Sequence, residues 1–369
     1  MKKYILLLFF CQLSILLVAQ TATWSTFIDT VTTFSSPRAV HLNADTVADF
    51  VIGAGLDGSA HANGVVAIDG SNGAILWTFA TQEEIFTSAQ FQDINGDGIE
   101  DVFIGGRYAE FYAIDGASGQ MLWEFFSPAP TEAVDSGWFN FYTPQWIPDQ
   151  NGDNYAELLI TNGGNHALPS WNTNRDPGYL MVLDASTGAV LAKDTMPDGE
   201  ETYCSPVVAD ISNSNQLEII FGSGGEDDGG ALWRVRLTDL MNNDIQSATA
   251  LAAHPTRGFI APASLADMND DGVLDIVSQA YDGKLRLFDG QSNQIIWTAA
   301  LAGTESSAAP VIGNFTGDKT PDVFIVVAKG HAPAFSDFFQ LMIDGKDGSI
   351  AWKDSIAQLH FASANAIDL

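Results

Sequence analysis

Short apolar segments of strand length recur along the chain after its first twenty residues, and polar, Gly-rich turns separate them. Many of these segments form pairs that flank a tight turn. The turn begins with an Asp, usually followed by a Gly, as in EFYAIDGASGQMLWEF from Glu110. Such pairs are typical of β-hairpins. Beyond the first twenty residues no stretch keeps a helical period. The pattern therefore predicts an all-β chain.

The hairpins belong to a larger unit that returns six times. Each unit begins with an acidic turn, such as DINGDGIED at residues 93–101, which leads into an apolar strand, and the hairpin follows. The last strand of the unit carries a recurrent tryptophan, at Trp77, Trp123, Trp297 and Trp352. We interpret this tryptophan as a large apolar plate that packs one unit on the next.

The spacing of the units predicts the architecture. The acids that close the acidic turns are Asp49, Asp101, Glu157, Glu218, Asp275 and Asp322. They give a period of roughly 50 to 60 residues with four short strands in each, which is typical of β-propeller blades. We predict one propeller domain over residues 21–369, with six complete four-stranded blades near residues 36–80, 86–126, 142–194, 204–248, 259–300 and 307–355.

The two ends of the chain predict export and an incomplete closing blade. Residues 1–20 combine Lys2 and Lys3 with an apolar run, which is typical of a secretory signal peptide. We expect a secreted or cell-surface protein, with the periplasm as a further possibility, and no membrane-spanning segment. Residues 22–30 match a fourth strand and residues 361–369 a first strand. We expect them to share a seventh blade, with the rest of that blade or further domains beyond Leu369.

The acidic turn has the composition of an oxygen-ligand cage. Side-chain oxygens of Asp93, Asn95 and Asp97 fall at every second position. Ile99 can offer its backbone carbonyl, and Asp101 closes the site. Calcium takes about six to eight oxygen ligands in irregular geometry, so this spacing predicts a calcium site.

The same ligand pattern is intact in one other unit and reduced in the rest. The intact copy comprises Asp267, Asn269, Asp271, Val273 and Asp275. The reduced copies keep Asp149, Asn151, Asp153 and Glu157; Asn314, Thr316, Asp318 and Asp322; and Asn43, Asp45 and Asp49. These turns are not EF-hands, because Ile104 and Ser278 stand where an EF-hand needs a bidentate Glu. The alternative that they are merely solvated turns stays open, since Asp, Asn and Gly dominate tight turns.

The charge of the chain excludes two classes of partner. The sequence holds 46 acidic and 15 basic residues, a formal net charge of −31. Nucleic acids and anionic membranes need a basic binding surface, so we expect neither as a partner. Cys204 is the only cysteine after the N-terminal segment, and we expect it to be a buried small apolar residue.

These motifs resemble two groups of propeller repeats. The Asp-x-Asn-x-Asp-Gly-x-x-Asp turn of residues 93–101 resembles the FG-GAP and VCBS repeats of calcium-binding propellers, including the head of integrin α subunits. The AIDGxxGxxLW hairpin is similar to the repeat of PQQ-like propellers. The first resemblance implies several bound calcium ions. We expect no PQQ, because the chain lacks both the blade count and the adjacent cysteine pair of quinoprotein enzymes.

The direction of the strands predicts where a ligand binds. The turns between strands one and two and between strands three and four must share one face, so the longer connections lie on the other, here called the loop face. Long loops on a rigid scaffold are usual ligand sites. The aromatic and planar candidates on this face are Trp138, Phe139, Tyr142, His166, Trp171 and Arg175. The alternative is that these side chains pack their own loops.

Catalysis has little support in the sequence, which contains no nucleophile elbow, zinc-protease motif or phosphate loop. We therefore expect an exported, non-catalytic, calcium-binding propeller that serves in adhesion or in recognition of an extracellular glycan or protein. Two alternatives stay open. One is a secreted polysaccharide-active enzyme of the lyase kind, and the other is a PQQ-like scaffold of the cell envelope.

Overall fold

A computed structural model of the chain describes residues 24–125, 138–165, 168, 172, 174–331, 334–356 and 363–364. The predicted signal peptide lies outside these residues. The described part contains six antiparallel sheets and one short helix. Each sheet is a blade in which sequential strands pair with one another, which confirms the predicted all-β propeller of four-stranded blades.

The first three blades follow the repeat closely. The first contains β1 (Arg38–Val40), β2 (Asp49–Gly53), β3 (His61–Ile68) and β4 (Ile75–Thr81). The second contains β5 (Gln90–Gln92), β6 (Asp101–Gly105), β7 (Phe111–Ile114) and β8 (Met121–Phe125). The third contains β10 (Gln145–Ile147), β11 (Glu157–Gly163), β12 (Tyr179–Leu183) and β13 (Val190–Thr195), with the short β9 (Asn140–Phe141) paired to β11.

The other three blades depart from the predicted bounds, most of all in the fourth. The fourth contains β14 (Val207–Ala209), β15 (Glu218–Gly222), β16 (Gly230–Arg236) and β17 (Thr249–His254), with helix α1 (Leu237–Met241) before β17. The fifth contains β18 (Ser264–Ala266), β19 (Asp275–Ala280), β20 (Lys284–Phe288) and β21 (Ile295–Ala300). The sixth contains β22 (Thr304–Glu305), β23 (Val311–Gly313), β24 (Asp322–His331), β25 (Ala334–Ile343) and β26 (Ile350–Ile356). Because α1 replaces the tight turn of the hairpin, β17 lies beyond the predicted end of the fourth blade at residue 248.

The core lies between the blades. Strand β6 is buried along its whole length, because its alternate residues face the blades on either side. Ile104 belongs to an apolar cluster shared with the first blade, and Phe103 to one shared with the third. Since a four-stranded blade cannot bury both of its faces alone, each depends on its neighbours.

Of the recurrent tryptophans, Trp77, Trp123 and Trp297 join one blade to the next, as predicted, whereas Trp352 is 46% exposed. The indole Nε1 groups of Trp24, Trp77, Trp123 and Trp297 donate to the carbonyl oxygens of Gly70, Gly116, Ala185 and Gly345, at 2.7 to 2.8 Å. A Cβ added at Gly119 would lie 2.7 Å from the Trp77 ring, so the hairpin turn needs glycine there. Where the fourth blade meets the fifth, Arg234 on β16 donates to the carbonyl of Gly290 instead.

A chain of hydrogen bonds links the blades just before their first strands. In the described residues it runs from the N–H groups of Ser36, Ser88, Thr143 and Ala309 to the hydroxyls of Ser88, Thr143, Ser205 and Ser363, over 2.9 to 3.1 Å. Ser363 thus stands where a further first strand would begin, and Trp24 makes the contact of a fourth strand. No strand is assigned within residues 24–30, and most of residues 361–369 lie outside the described part. The shared closing blade therefore stays a prediction.

Candidate functional site

The acidic turns are ordered by their own side chains. In the second blade the carboxylate of Asp93 accepts hydrogen bonds from the N–H groups of Gly96 at 2.6 Å and Gly98 at 2.9 Å. Asn95 accepts from the N–H of Asp97 at 2.9 Å. Short polar side chains that bond to nearby backbone groups stabilise tight turns. These hydrogen bonds therefore hold the backbone of the acidic turn in one conformation at the end of the blade.

The acids that close the turns have a structural role that the sequence did not reveal. Asp101 is fully buried, and its carboxylate accepts from the N–H groups of Ile94 at 2.9 Å and Gly116 at 3.2 Å. Ile94 lies in the acidic turn and Gly116 in the hairpin turn of the same blade. Asp49, Asp275 and Asp322 accept from the two corresponding turns of their own blades. The closing acid thus clasps two turns together.

Only the third blade gathers a set of carboxylates that fits a metal ion, within the part of the chain that the structure describes. Oxygens of Asp149, Asp153 and Glu157 lie within 4.8 Å of one another, in a gradient from exposed to buried. Backbone hydrogen bonds, first of all from Gly152, lower the pKa of Asp149 and favour its charged form. A hard cation such as calcium suits this donor set. The sharper sequence copies around Asp93 and Asp267 form no such cluster, and their calcium sites stay predictions.

The opposite end of the propeller holds a cavity of about 610 Å³. Its lining comes from the connections between second and third strands and from the segments that join the blades. Arg107, Glu226 and Tyr281, for example, follow β6, β15 and β19. The aromatic part of the lining consists of Phe34, Phe86, Tyr142, Tyr203 and Tyr281. The cavity therefore opens on the loop face.

The predicted ligand residues divide into two groups. Tyr142 and Arg175 line the cavity. Phe139 is buried. Trp138 packs between Phe125 of the second blade and Tyr179 of the third, with ring centroids 5.4 and 5.3 Å away, so these two side chains pack the blades and do not line the cavity. His166 and Trp171 lie outside the described residues.

Each arginine of the cavity is held by a buried glutamate. Arg107 Nε lies 3.1 Å from the carboxylate of Glu84 and 3.3 Å from that of Asp57. Arg175 Nη1 lies 3.3 Å from Glu201, and its guanidinium also donates to backbone carbonyls of its own loop, including that of Asn165. The positive charges of the lining are therefore compensated within the protein.

Glu201 is the most perturbed acid of the lining. Tyr203 Oη donates at 2.9 Å to Oε2 of its carboxylate, the same oxygen that lies 3.3 Å from Arg175. Burial raises the pKa of Glu201 to about 7, although Arg175 and Tyr203 act in the opposite direction. Desolvation therefore outweighs the effect of Arg175 on this pKa, although the ion pair favours the charged form of Glu201.

A third charged cluster lies at the rim, where the last three blades meet. His331 Nε2 is 3.0 Å from Asp227, and its Nδ1 contacts Glu305. Arg257 Nη1 lies 3.3 Å from Asp227 and 3.5 Å from Glu305. The hydrogen bond with Glu305 raises the pKa of His331 above its usual value. Ion pairs therefore fix the positions of Asp227 and His331 at this rim.

These clusters are related by the repeat, although the sequence reasoning missed them. Glu84 and Glu201 stand four residues before Ser88 and Ser205, and Glu305 four residues before Ala309. Those later residues belong to the hydrogen-bond chain that links the first strands. The signal was present as EIFTS from Glu84 and ETYCS from Glu201. Three blade connections therefore each place a buried glutamate beside a cation.

That the protein binds no PQQ stays a prediction, which the charges of the lining support. A polycarboxylate quinone needs cationic groups that are not already neutralised. Arg107 and Arg175 are held by Glu84 and Glu201, and Glu226 adds a further acid to the lining. The charge balance of this cavity therefore opposes a ligand with several negative charges.

Comparisons with known proteins support the fold. No protein-family model matches the chain. The chain is 24% identical to Protein FAM234B of Gallus gallus over 312 residues, which cover 79% of the chain and 46% of that protein. It is 23% identical to Protein FAM234A of Mus musculus over 308 residues, covering 80% and 51%. The chain thus spans about half the length of the curated relatives it matches.

Solved propellers resemble the chain in structure. A quinohemoprotein alcohol dehydrogenase from Pseudomonas putida HK5 matches with a TM-score of 0.57 and 12% identity, over 90% of this chain and 62% of that one. The corresponding enzyme from Comamonas testosteroni matches with a TM-score of 0.55 and 13% identity, over 87% and 60%. At such identities the likeness shows a fold and not an activity. The chain is therefore a β-propeller.

Proposed function

We propose that the protein is a non-catalytic recognition propeller that binds an extracellular glycan or protein ligand through its loop face. The observation that carries this proposal is the cavity on that face, to which segments around every described blade contribute. Ligand sites are usually concave and combine apolar or aromatic side chains with placed polar groups, and this lining sets five aromatic rings among many hydroxyl, amide and charged groups. The opposite face consists of repeated turns whose polar groups bond to one another.

The acids in and beside the lining support binding more than catalysis. Glu84 and Glu201 are engaged by arginines, and Asp227 lies in a cluster with Arg257 and His331. A general base needs access to the proton that it removes. Charges that are held in buried pairs instead fix the shape of the cavity wall.

We further propose that a calcium ion stabilises the third blade. Its ligands would be Asp149, Asp153 and Glu157, whose oxygens converge in the acidic turn of that blade.

The described part of the chain contains no helix long and apolar enough to cross a membrane. Export, proposed from residues 1–20, is tested by fractionation and by N-terminal sequencing of the mature protein.

One observation favours a polysaccharide lyase as a second candidate. Glu201, whose pKa is raised to about 7, shares a hydrogen bond with Tyr203 at the cavity wall. A carboxyl that titrates near neutral pH suits proton transfer. Release of unsaturated products from plant or algal polysaccharides, followed by absorbance, would support this candidate. A scaffold role in the cell envelope is also compatible with the fold.

The proposed function is tested by filling the cavity. Ser307 lines the cavity, whereas Ser118 is exposed on a hairpin turn of the opposite face. We expect Ser307→Trp to abolish binding in a screen of immobilised glycans and extracellular proteins. Ser118→Trp should bind like the parent protein. Equal binding by both variants would contradict the proposal.

A further inference from the structure

We infer that the cavity recognises an uncharged sugar residue, presented as the end group of a neutral glycan. This inference rests on the proposed function, since it names the ligand class for the same cavity. Its support comes from the size of the cavity, its charge balance, an unpartnered acceptor and a row of aromatic rings.

The size of the cavity favours a small group over a protein surface. Its volume of about 610 Å³ lies within the usual range for small-ligand pockets. A stable protein interface needs about 800 Å² from each partner and is usually broad rather than deep. A terminal sugar or a short oligosaccharide can enter a recess of this size, whereas a folded domain cannot.

The charge balance favours a neutral ligand. Arg107 and Arg175 are compensated by Glu84 and Glu201, and the whole chain carries a net charge of −31. An anionic ligand would therefore enter a negative field without gaining an uncompensated cation. A cationic ligand would have to compete with Arg175 for Glu201 or pair with Glu226, and burial raises the pKa of Glu226 and so favours its uncharged form. A neutral polyol avoids both penalties and can bond to groups of either kind.

One buried side chain of the lining has an acceptor that the protein does not use. Asn140 is 3% exposed, and its Nδ2 donates to the carbonyl of Gly164 at 2.9 Å. Its Oδ1 has no hydrogen-bond partner within the described structure. A buried acceptor left in this state is costly. A ligand hydroxyl is the donor that would satisfy it, which a quaternary ammonium group cannot do.

The aromatic side chains near Asn140 form a continuous row. The ring centroids of Phe86 and Tyr142 are 5.5 Å apart, and those of Tyr142 and Tyr203 are 6.2 Å apart. Arg107 already lies over Phe86, 5.6 Å from its centroid, so this ring is not open to a second cation. Apolar rings beside hydroxyl and amide groups match the mixed surface of a pyranose, which has C–H faces and O–H edges.

The test uses three sugars of one shape and different charge. Saturation-transfer NMR and calorimetry are run with glucose, glucuronate and glucosamine, with the methyl glycosides of galactose and mannose, and with short neutral oligosaccharides. We expect neutral sugars to bind, and glucuronate and glucosamine to bind at least about tenfold more weakly.

Two matched variants locate the binding. Phe34 lines the cavity and is 46% exposed, while Phe315 is 43% exposed in an acidic turn of the opposite face. We expect Phe34→Ala to weaken neutral-sugar binding about tenfold and Phe315→Ala to leave it unchanged. Asn140→Leu should also abolish binding, with circular dichroism as the check on folding; the Phe34 pair decides the test if this variant does not fold.

The outcomes separate the two proposals. If charged sugars, amines or a protein bind in a way that depends on Phe34, the sugar class is wrong and the recognition function stands. If no ligand depends on the loop face, both fail. Neutral-sugar binding that is lost in Phe34→Ala and kept in Phe315→Ala supports both.

Discussion

The two faces of the propeller use polar residues in different ways. On the turn face, the same Asp, Asn and Gly positions return in most blades and bond to backbone groups within their own blade. On the loop face, Arg107, Arg175 and Arg257 come from three different loops and meet three buried glutamates that are distant in the sequence. The repeated residues of the turn face therefore build each blade. The loop face combines a recurrent glutamate with arginines that occupy no common position of the repeat.

The largest expected effect comes from removing a clasp on the turn face. Asp101→Ala leaves the N–H groups of Ile94 and Gly116 without their acceptor in a buried place. We expect a loss of about 3 kcal/mol in the free energy of unfolding, measured by urea denaturation. The control is Asp97→Ala in the exposed part of the same turn, which should cost well under half as much. Equal losses would show that Asp101 is an ordinary turn residue.

Calcium should distinguish the acidic turn of the third blade from that of the second. Because Asp149, Asp153 and Glu157 converge, calcium at about a hundred times its dissociation constant should add about 2.7 kcal/mol of stability. Asp153→Asn should remove most of this gain, as measured by the melting temperature with calcium and with a chelator. Asp97→Asn in the second blade should keep it. A melting temperature of the parent protein that the chelator does not change would contradict the proposed calcium site.

The contact between blades gives a smaller effect. Trp297→Phe keeps an aromatic ring but loses the hydrogen bond to the carbonyl of Gly345, so we expect a loss of about 1–2 kcal/mol. Trp352 occupies the corresponding place on β26 and is 46% exposed. Trp352→Phe should therefore change the stability by less than about 0.5 kcal/mol. Similar losses in the two variants would mean that the indole N–H is not what joins the blades.

A buried acid on the loop face predicts a gain in stability. Burial raises the pKa of Glu110 to about 7, above its value of 4.5 in an unfolded chain. Because the folded state then binds the proton more tightly, its contribution is fully present below about pH 4.5 and is lost as the pH rises through 7. Glu110→Gln should thus stabilise the protein by about 1 kcal/mol at pH 8.

The control for this prediction is Glu124→Gln, at an exposed position of β8. It should leave the pH profile of the melting temperature unchanged. If Glu110→Gln has no greater effect at pH 8 than at pH 5, the proton is not bound more tightly in the folded protein.

Much of the fold was predictable because the repeat constrains it many times over. Each hairpin turn, each acidic turn and the recurrent tryptophans point to the same four-stranded unit. The prediction of bounds failed in the fourth blade, where α1 interrupts the hairpin. There Leu237 and Leu240 are buried against the third blade. The sequence of this connection contains no turn motif that would predict the helix.

The site was less predictable, because it depends on residues far apart in the sequence. Tyr142 and Arg175 were identified as candidates because aromatic and planar groups are concentrated in long loops. Trp138 had the same signal but packs between the second and third blades instead. The partner of each charged residue, such as Glu201 for Arg175, becomes apparent only when the blades are assembled.

The sequence by itself determined the strand pattern, the blade repeat and the acidic character, because these follow from local turn chemistry and from the period of the apolar segments. Only the tertiary structure decided which acids clasp turns, which converge on a cation and which hold arginines around a cavity. The acids of the repeated turns look alike in the sequence, yet Asp101 is fully buried and Asp149 is exposed. Burial and partners set the chemistry of a carboxylate, and the packing of the blades sets both.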